Sequence, residues 1–98
     1  MIGRLEEMTL MALVRAGPAS HAAKVYNVLE ERVPNAPQFA SLFITLNRMA
    51  EKGLVSAKKD DSGGRAKRLF TITGEGELAL RECANAFHAL GGNDFVLA

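Results

Sequence analysis

The chain has 98 residues, of which 48% are hydrophobic and 23% charged, with a formal net charge of +1. That is one domain's worth of sequence, near the lower end of what supports a single apolar core. No apolar run approaches the roughly 18 residues of a membrane span, the first residues lack the basic-then-apolar layout of a secretory signal, and the lone Cys83 has no partner for an internal disulfide. A cytoplasmic protein with no membrane association is the expectation.

The first predicted helix runs from Arg4 to Arg15, with Leu5, Met8, Met11 or Ala12, and Val14 close to helical spacing. Gly17-Pro18 closes it. Ser20 is the expected N-cap of a second helix, which buries Ala23, Val25, Val28 and Leu29 and ends near Arg32. Pro34-Asn35-Ala36-Pro37 forms the connection, because proline disfavours helix in the residue before it. In the third helix Phe39, Leu42, Phe43, Leu46 and Met49 form an apolar stripe, and Gly53 predicts a left-handed C-cap. The opposite face is expected to carry Ser41, Ile44, Thr45, Arg48 and Lys52, with Gln38 and Asn47 at its edges. Such hydroxyls and amides can meet base edges while Arg and Lys neutralise phosphates; a plain solvated helix face has the same composition.

Leu54 to Lys59 and Arg65 to Ile72 read as two strands around a Gly63-Gly64 turn, with Leu69 and Ile72 facing the core and Lys67 and Arg68 near the tip. Arg65, Lys67 and Arg68 would lie against phosphates, or serve only to keep a sheet edge from pairing. Thr73 can cap a last helix from about Glu75 to Leu90, with Glu75 and Glu77 placed in its first turn as the helix dipole favours. Leu80, Cys83, Ala84, Phe87 and Leu90 form a stripe that suits dimerisation with a second copy, the alternative being that it folds back onto the first helix. Gly91-Gly92 ends this helix, and the apolar Phe95-Val96-Leu97 follows. The fold class expected is mainly α with a small β-hairpin. Residues 1–74 would form a winged helix–turn–helix and residues 75–98 a C-terminal dimerisation helix with a short apolar tail, within one domain.

Charge is divided unevenly along this plan. Residues 37–72 hold seven cations (Arg48, Lys52, Lys58, Lys59, Arg65, Lys67, Arg68) against three anions (Glu51, Asp60, Asp61), a net +4, and the remainder of the chain is −3. The basic segment coincides with the third helix and the hairpin, as a local polyanion-binding surface requires. Enzymatic chemistry finds no such support. His21 and His88 lie far apart in sequence and in no nucleophile or metal motif. Cys83 and His88 are poorly spaced to share a metal, and Gly63-Gly64-Arg65-Ala66-Lys67 lacks the spacing of a phosphate-binding P-loop. No enzyme activity, metal or cofactor is expected.

Phe39-Ala40-Ser41-Leu42-Phe43-Ile44-Thr45-Leu46-Asn47-Arg48-Met49-Ala50-Glu51-Lys52-Gly53-Leu54-Val55 resembles the recognition-helix region of PadR-like transcriptional regulators. Gly63-Gly64-Arg65-Ala66-Lys67-Arg68-Leu69-Phe70-Thr71-Ile72-Thr73 resembles their wing and the turn into the last helix. The resemblance covers most of the chain. It implies a homodimeric DNA-binding regulator, commonly a repressor, whose C-terminal helix dimerises. On an inverted-repeat operator, Gln38, Ser41 and Thr45 are expected near bases and Arg48, Lys52, Arg65, Lys67 and Arg68 at phosphates. A small-molecule effector at the dimer interface is within the family's range, though no residue here identifies a ligand. His21-Ala22 stand where relatives commonly have an aromatic–glycine pair, Ala40 where they often have glycine, and Phe43 where a tyrosine hydroxyl would reach a phosphate. The C-terminal region is also short. A winged-helix protein–protein interaction module without specific DNA binding is the alternative, because fold alone does not fix function.

Overall fold

The computed structural model describes residues 2–62 and 67–94. The chain forms α1 (Arg4–Ala16), α2 (Ala22–Arg32), α3 (Phe39–Glu51), β1 (Val55–Asp60), β2 (Lys67–Ile72), α4 (Gly74–Ala89) and a short 3-10 turn at Gly92–Asp94. Three helices, an antiparallel hairpin and a final helix make a winged helix, as the order of sequence signals predicts.

α1 starts at Gly3, whose N–H donates to Glu6 Oε1 at 3.0 Å, one half of a capping box. It ends at Gly17, where φ is 97° and the N–H reaches the Leu13 carbonyl at 3.0 Å. Its buried face is Thr9, Leu10, Ala12, Leu13 and Ala16; of the alternatives Met11 and Ala12 it is Ala12 that is buried, whereas Val14, expected inside, is about half exposed. Two apolar sets at helical spacing run along this helix, and only packing against α2 and α3 chooses between them.

Ser20 does not cap α2. Its N–H and carbonyl pair with Phe70 of β2 at 3.0 and 2.8 Å, its hydroxyl donates to the Gly17 carbonyl at 2.7 Å, and His21 takes the N-cap position. With both backbone groups committed to a strand, the helix begins one residue later. α2 then buries Ala22, Val25 and Leu29, leaving Ala23 exposed and Val28 half-buried. The Tyr26 hydroxyl donates to the Pro37 carbonyl at 3.0 Å and fixes the connection to α3.

α3 closes in a Schellman motif. Gly53, at φ 81°, donates to the Ala50 carbonyl at 3.2 Å, and Leu54 donates to the Met49 carbonyl at 3.0 Å. The chain turns directly into β1, which pairs with β2 from Val55↔Ile72 to Asp60↔Lys67. Phe70, at 1% exposure, is the strand's core residue, with Ile72 packed beside it, while Leu69 is only half-buried. A regular strand alternates faces, so Leu69 and Ile72, three apart, cannot both point inward as expected. Thr73 caps α4 by accepting from the Gly76 N–H at 3.1 Å and donates its own hydroxyl proton to the Gly53 carbonyl at 2.7 Å.

The core gathers Leu10 and Leu13 from α1, Val25 and Leu29 from α2, Leu42, Leu46 and Met49 from α3, Val55 from β1 and Phe70 from β2. Each such side chain contributes about 1.5–3 kcal/mol on burial. The stripe on α4 divides. Leu80 packs against the core and Cys83 is buried beside α1, which is the fold-back alternative, whereas Ala84, Phe87 and Leu90 stay exposed. Burial, with the Glu7 carboxylate nearby, pushes the Cys83 thiol above its ordinary pKa. Among the described residues no helix is long and apolar enough to cross a membrane.

Candidate nucleic-acid interface

The way α3 is seated decides which side chains a ligand can meet. Its buried arc is Leu42, Thr45, Leu46 and Met49. Thr45, expected near bases, is turned inward at 7% exposure, and its Oγ1 donates to the Ser41 carbonyl at 2.7 Å. A threonine can satisfy its hydroxyl one turn back along its own helix, and so sits in a core that polarity alone would deny it. Phe39 and Phe43, expected in the apolar stripe, are instead 42% and 43% exposed. They line one edge of α3 as an aromatic row, Phe43 stacked on Phe39 at 6.1 Å and Phe39 edge-on to Tyr26 at 5.5 Å. The outward face therefore carries Ala40, Ile44, Arg48 and Glu51, with Phe43 and Asn47 toward the hairpin and the half-buried Ser41 on the far flank. Gln38 is the exposed N-cap residue, and its side chain makes no capping hydrogen bond.

Lys52, expected at a phosphate, is held by α1. Its Nζ lies 2.8 Å from Glu6 Oε2. That hydrogen bond, followed by the one from the Gly3 N–H, holds the Glu6 carboxyl below its ordinary pKa. Lys52 thus belongs to the α1 side of α3, the same side as Thr45.

Besides the Ser20–Phe70 pair, side chains tie the hairpin to α3 and to the start of α2. Arg68 Nη1 donates to Asn47 Oδ1 at 2.6 Å, and Asn47 Nδ2 donates to the Phe43 carbonyl at 2.9 Å, so the amide bridges β2 to α3. At the far end of β1, Asp60 Oδ2 lies 3.0 Å from His21 Nε2 at the start of α2. Asp60 Oδ1 also accepts from the Ser62 hydroxyl and N–H, which, with His21 adding to the effect, lower the Asp60 pKa. Lys67 and Arg68 are exposed, with Lys58 and Lys59 on the neighbouring strand. Arg65 lies outside the described residues. Between α2, α3 and β2 runs an open groove of ≈ 620 Å³ lined by His21, Ala22, Phe39, Phe43, Asn47 and Arg68, among others.

The structure thus brings Arg68 against α3, leaves Gln38, Arg48 and Lys67 exposed, pairs the exposed Lys52 with Glu6, and buries Thr45. The Asn47 bridge was missed from sequence because its partner lies 21 residues away and no local pattern couples the two. Among the described residues no group of three or more His, Cys, Asp and Glu side chains could hold a metal ion.

A recognition-type helix seated beside a basic hairpin defines a winged helix–turn–helix protein. The chain belongs to the PadR-like family of transcriptional regulators, whose model matches residues 10–82. That is a family of regulators rather than of enzymes. Three solved structures illustrate the shared fold. A PadR family transcription regulator from Clostridium difficile has TM-score 0.75 and 16% identity, over 92% of this chain and 93% of that one. A PadR-like regulator from Bacillus cereus has TM-score 0.71 and 17% identity, over 91% and 85%. BpsR of Bordetella bronchiseptica, whose DNA binding is regulated by 6-hydroxynicotinic acid, has TM-score 0.72 and 18% identity, over 94% of this chain and 64% of its own. No curated protein matches the sequence.

Proposed function

We propose that this protein is a repressor that binds double-stranded DNA as a homodimer at an inverted-repeat operator, each subunit placing α3 in the major groove and the hairpin along the backbone. The supporting observation is the placement of Arg48, Lys67 and Arg68 around the outward face of α3 in a chain whose remaining segments are net acidic. Gln38 and Ser41 are assigned to base edges, and Arg48, Lys67, Arg68 and Arg65 to phosphates. Thr45 has no part in it, being buried, whereas Lys52, whose side chain is 57% exposed beside Glu6, is assigned to the phosphates with the other cations.

The second copy is assigned to the exposed half of the α4 stripe. Phe87 and Leu90 are 53% and 79% exposed, and Met8, Met11, Ala84 and Phe87 line an adjoining groove of ≈ 460 Å³ between α1 and α4. Apolar surface of this kind on so small a domain is the usual mark of an association site. The regulation of BpsR by 6-hydroxynicotinic acid supports a small-molecule effector for this chain as well. A cytoplasmic location follows from the proposed role.

Selection from a random-sequence DNA pool at two salt concentrations, with the mass in solution measured alongside, tests this. Enrichment of an inverted repeat by a dimer, with half-sites about 10 bp apart or a multiple of that, is expected. Absence of enrichment and of salt-dependent affinity would refute it in favour of a protein-interaction module.

A further inference from the structure

The outward face of α3 is less polar than DNA readout by hydrogen bonding would need. Ile44, at its centre, is 50% exposed, with Ala40 exposed one turn before it and Phe43, 43% exposed, at its side. The residues nearer the N-terminus of a recognition helix are those that meet base edges. In this half of α3 the polar groups are Gln38 and the half-buried Ser41. Arg48 lies in the last turn. The Asn47 amide is engaged at both ends, its Oδ1 by Arg68 and its Nδ2 by the Phe43 carbonyl, and cannot take up the paired hydrogen bonds of an adenine without giving those up.

An isoleucine and a phenylalanine standing half in water, with Arg48 exposed one turn on and Lys67 and Arg68 lining a groove with Phe43, fit one kind of surface. It must be anionic at its rim and apolar at its centre. In the major groove the phosphates supply the rim, and the apolar feature of the base edges is the thymine 5-methyl group. We propose that sequence preference in this protein is set mainly by thymine methyl groups, with Ile44 and Ala40 as the reading residues and Phe43 as their flank. This rests on the DNA-binding function proposed above and deepens it by naming the class of half-site, one with thymines beneath the first turns of α3.

The test uses the full chain and the operator obtained by selection. Each thymidine is replaced in turn by deoxyuridine, which removes the 5-methyl group and leaves the hydrogen-bonding pattern intact. One or two positions per half-site should weaken binding by about fourfold per methyl, the equivalent of one buried apolar carbon. Ile44→Ala should erase most of that methyl dependence, and Ile44→Val should keep most of it. Selective binding that no deoxyuridine replacement weakens, or half-sites without thymine, would overturn the methyl assignment and leave DNA binding standing. Loss of selective, salt-dependent binding altogether would overturn both.

Discussion

Thr9 and Thr45 are two buried threonines on helices with opposite hydrogen bonding. Thr45 Oγ1 bonds to the Ser41 carbonyl, whereas Thr9 Oγ1, in a residue with 0% exposure, has no partner among the described residues. An unsatisfied buried hydroxyl costs about 1–3 kcal/mol. Thr9→Val, which keeps the shape and removes the oxygen, should raise stability by about 1 kcal/mol, read from chemical denaturation. Thr45→Ala should lower stability and leave base preference unchanged, and a shift in the selected half-site would count against its buried placement. Glu6 offers a pH-dependent counterpart. Its carboxyl is held below the ordinary value of 4.5 by the Lys52 hydrogen bond first and the Gly3 N–H second. The stabilisation is therefore complete above that value and disappears as pH falls through the lowered one. Glu6→Gln should flatten the acid side of a melting-temperature profile, by less than about 1 kcal/mol for so exposed a pair. At this scale the sequence misled where a residue had two options: polarity sent Thr45 outward, when its hydroxyl had a partner one turn back on its own helix.

The elements themselves were legible because their ends carry local chemistry. Gly17, Gly53 and Gly91 take the positive φ that stops a helix, and Thr73 caps the next one. Rotation of each helix about its axis was less legible. Along α1 the Leu10–Leu13 and Met11–Val14 pairs have the same spacing, and on α3 the aromatic row competes with the Leu42–Leu46–Met49 arc. Such choices are made by neighbours distant in sequence. Gly76 is a case in point, since a Cβ there would strike the Leu54 carbonyl oxygen and the Ile72 side chain where α4 leaves the hairpin. Gly76→Ala should destabilise by about 1–3 kcal/mol despite its better helix propensity. A rise in melting temperature would show that the junction is looser than described.

For the whole molecule, the division of charge was readable from sequence, and it marked α3 and the hairpin together. The fastening of one to the other was not, because Arg68 and Asn47 lie 21 residues apart. Two outcomes belong here. Lys67→Ala or Arg68→Ala should each weaken binding to all sequences and reduce the salt slope by about 1 per subunit. An unchanged slope would remove that side chain from the phosphates. Phe87→Asp with Leu90→Asp should halve the mass in solution and cost operator affinity while α1, α2 and α3 keep their helical content; a variant that stays dimeric would place the interface elsewhere.

The backbone pair between Ser20 and Phe70 bears on a different hazard. A hairpin exposes unpaired amide and carbonyl groups along each outer edge, which invites strands from other molecules to add on. Here the middle of the β2 edge is occupied by Ser20, held at 3.0 and 2.8 Å, while Lys58 and Lys59 stand on β1. A single residue between α1 and α2 therefore takes up the pairing groups at the middle of that edge, so a strand from another molecule finds them already engaged.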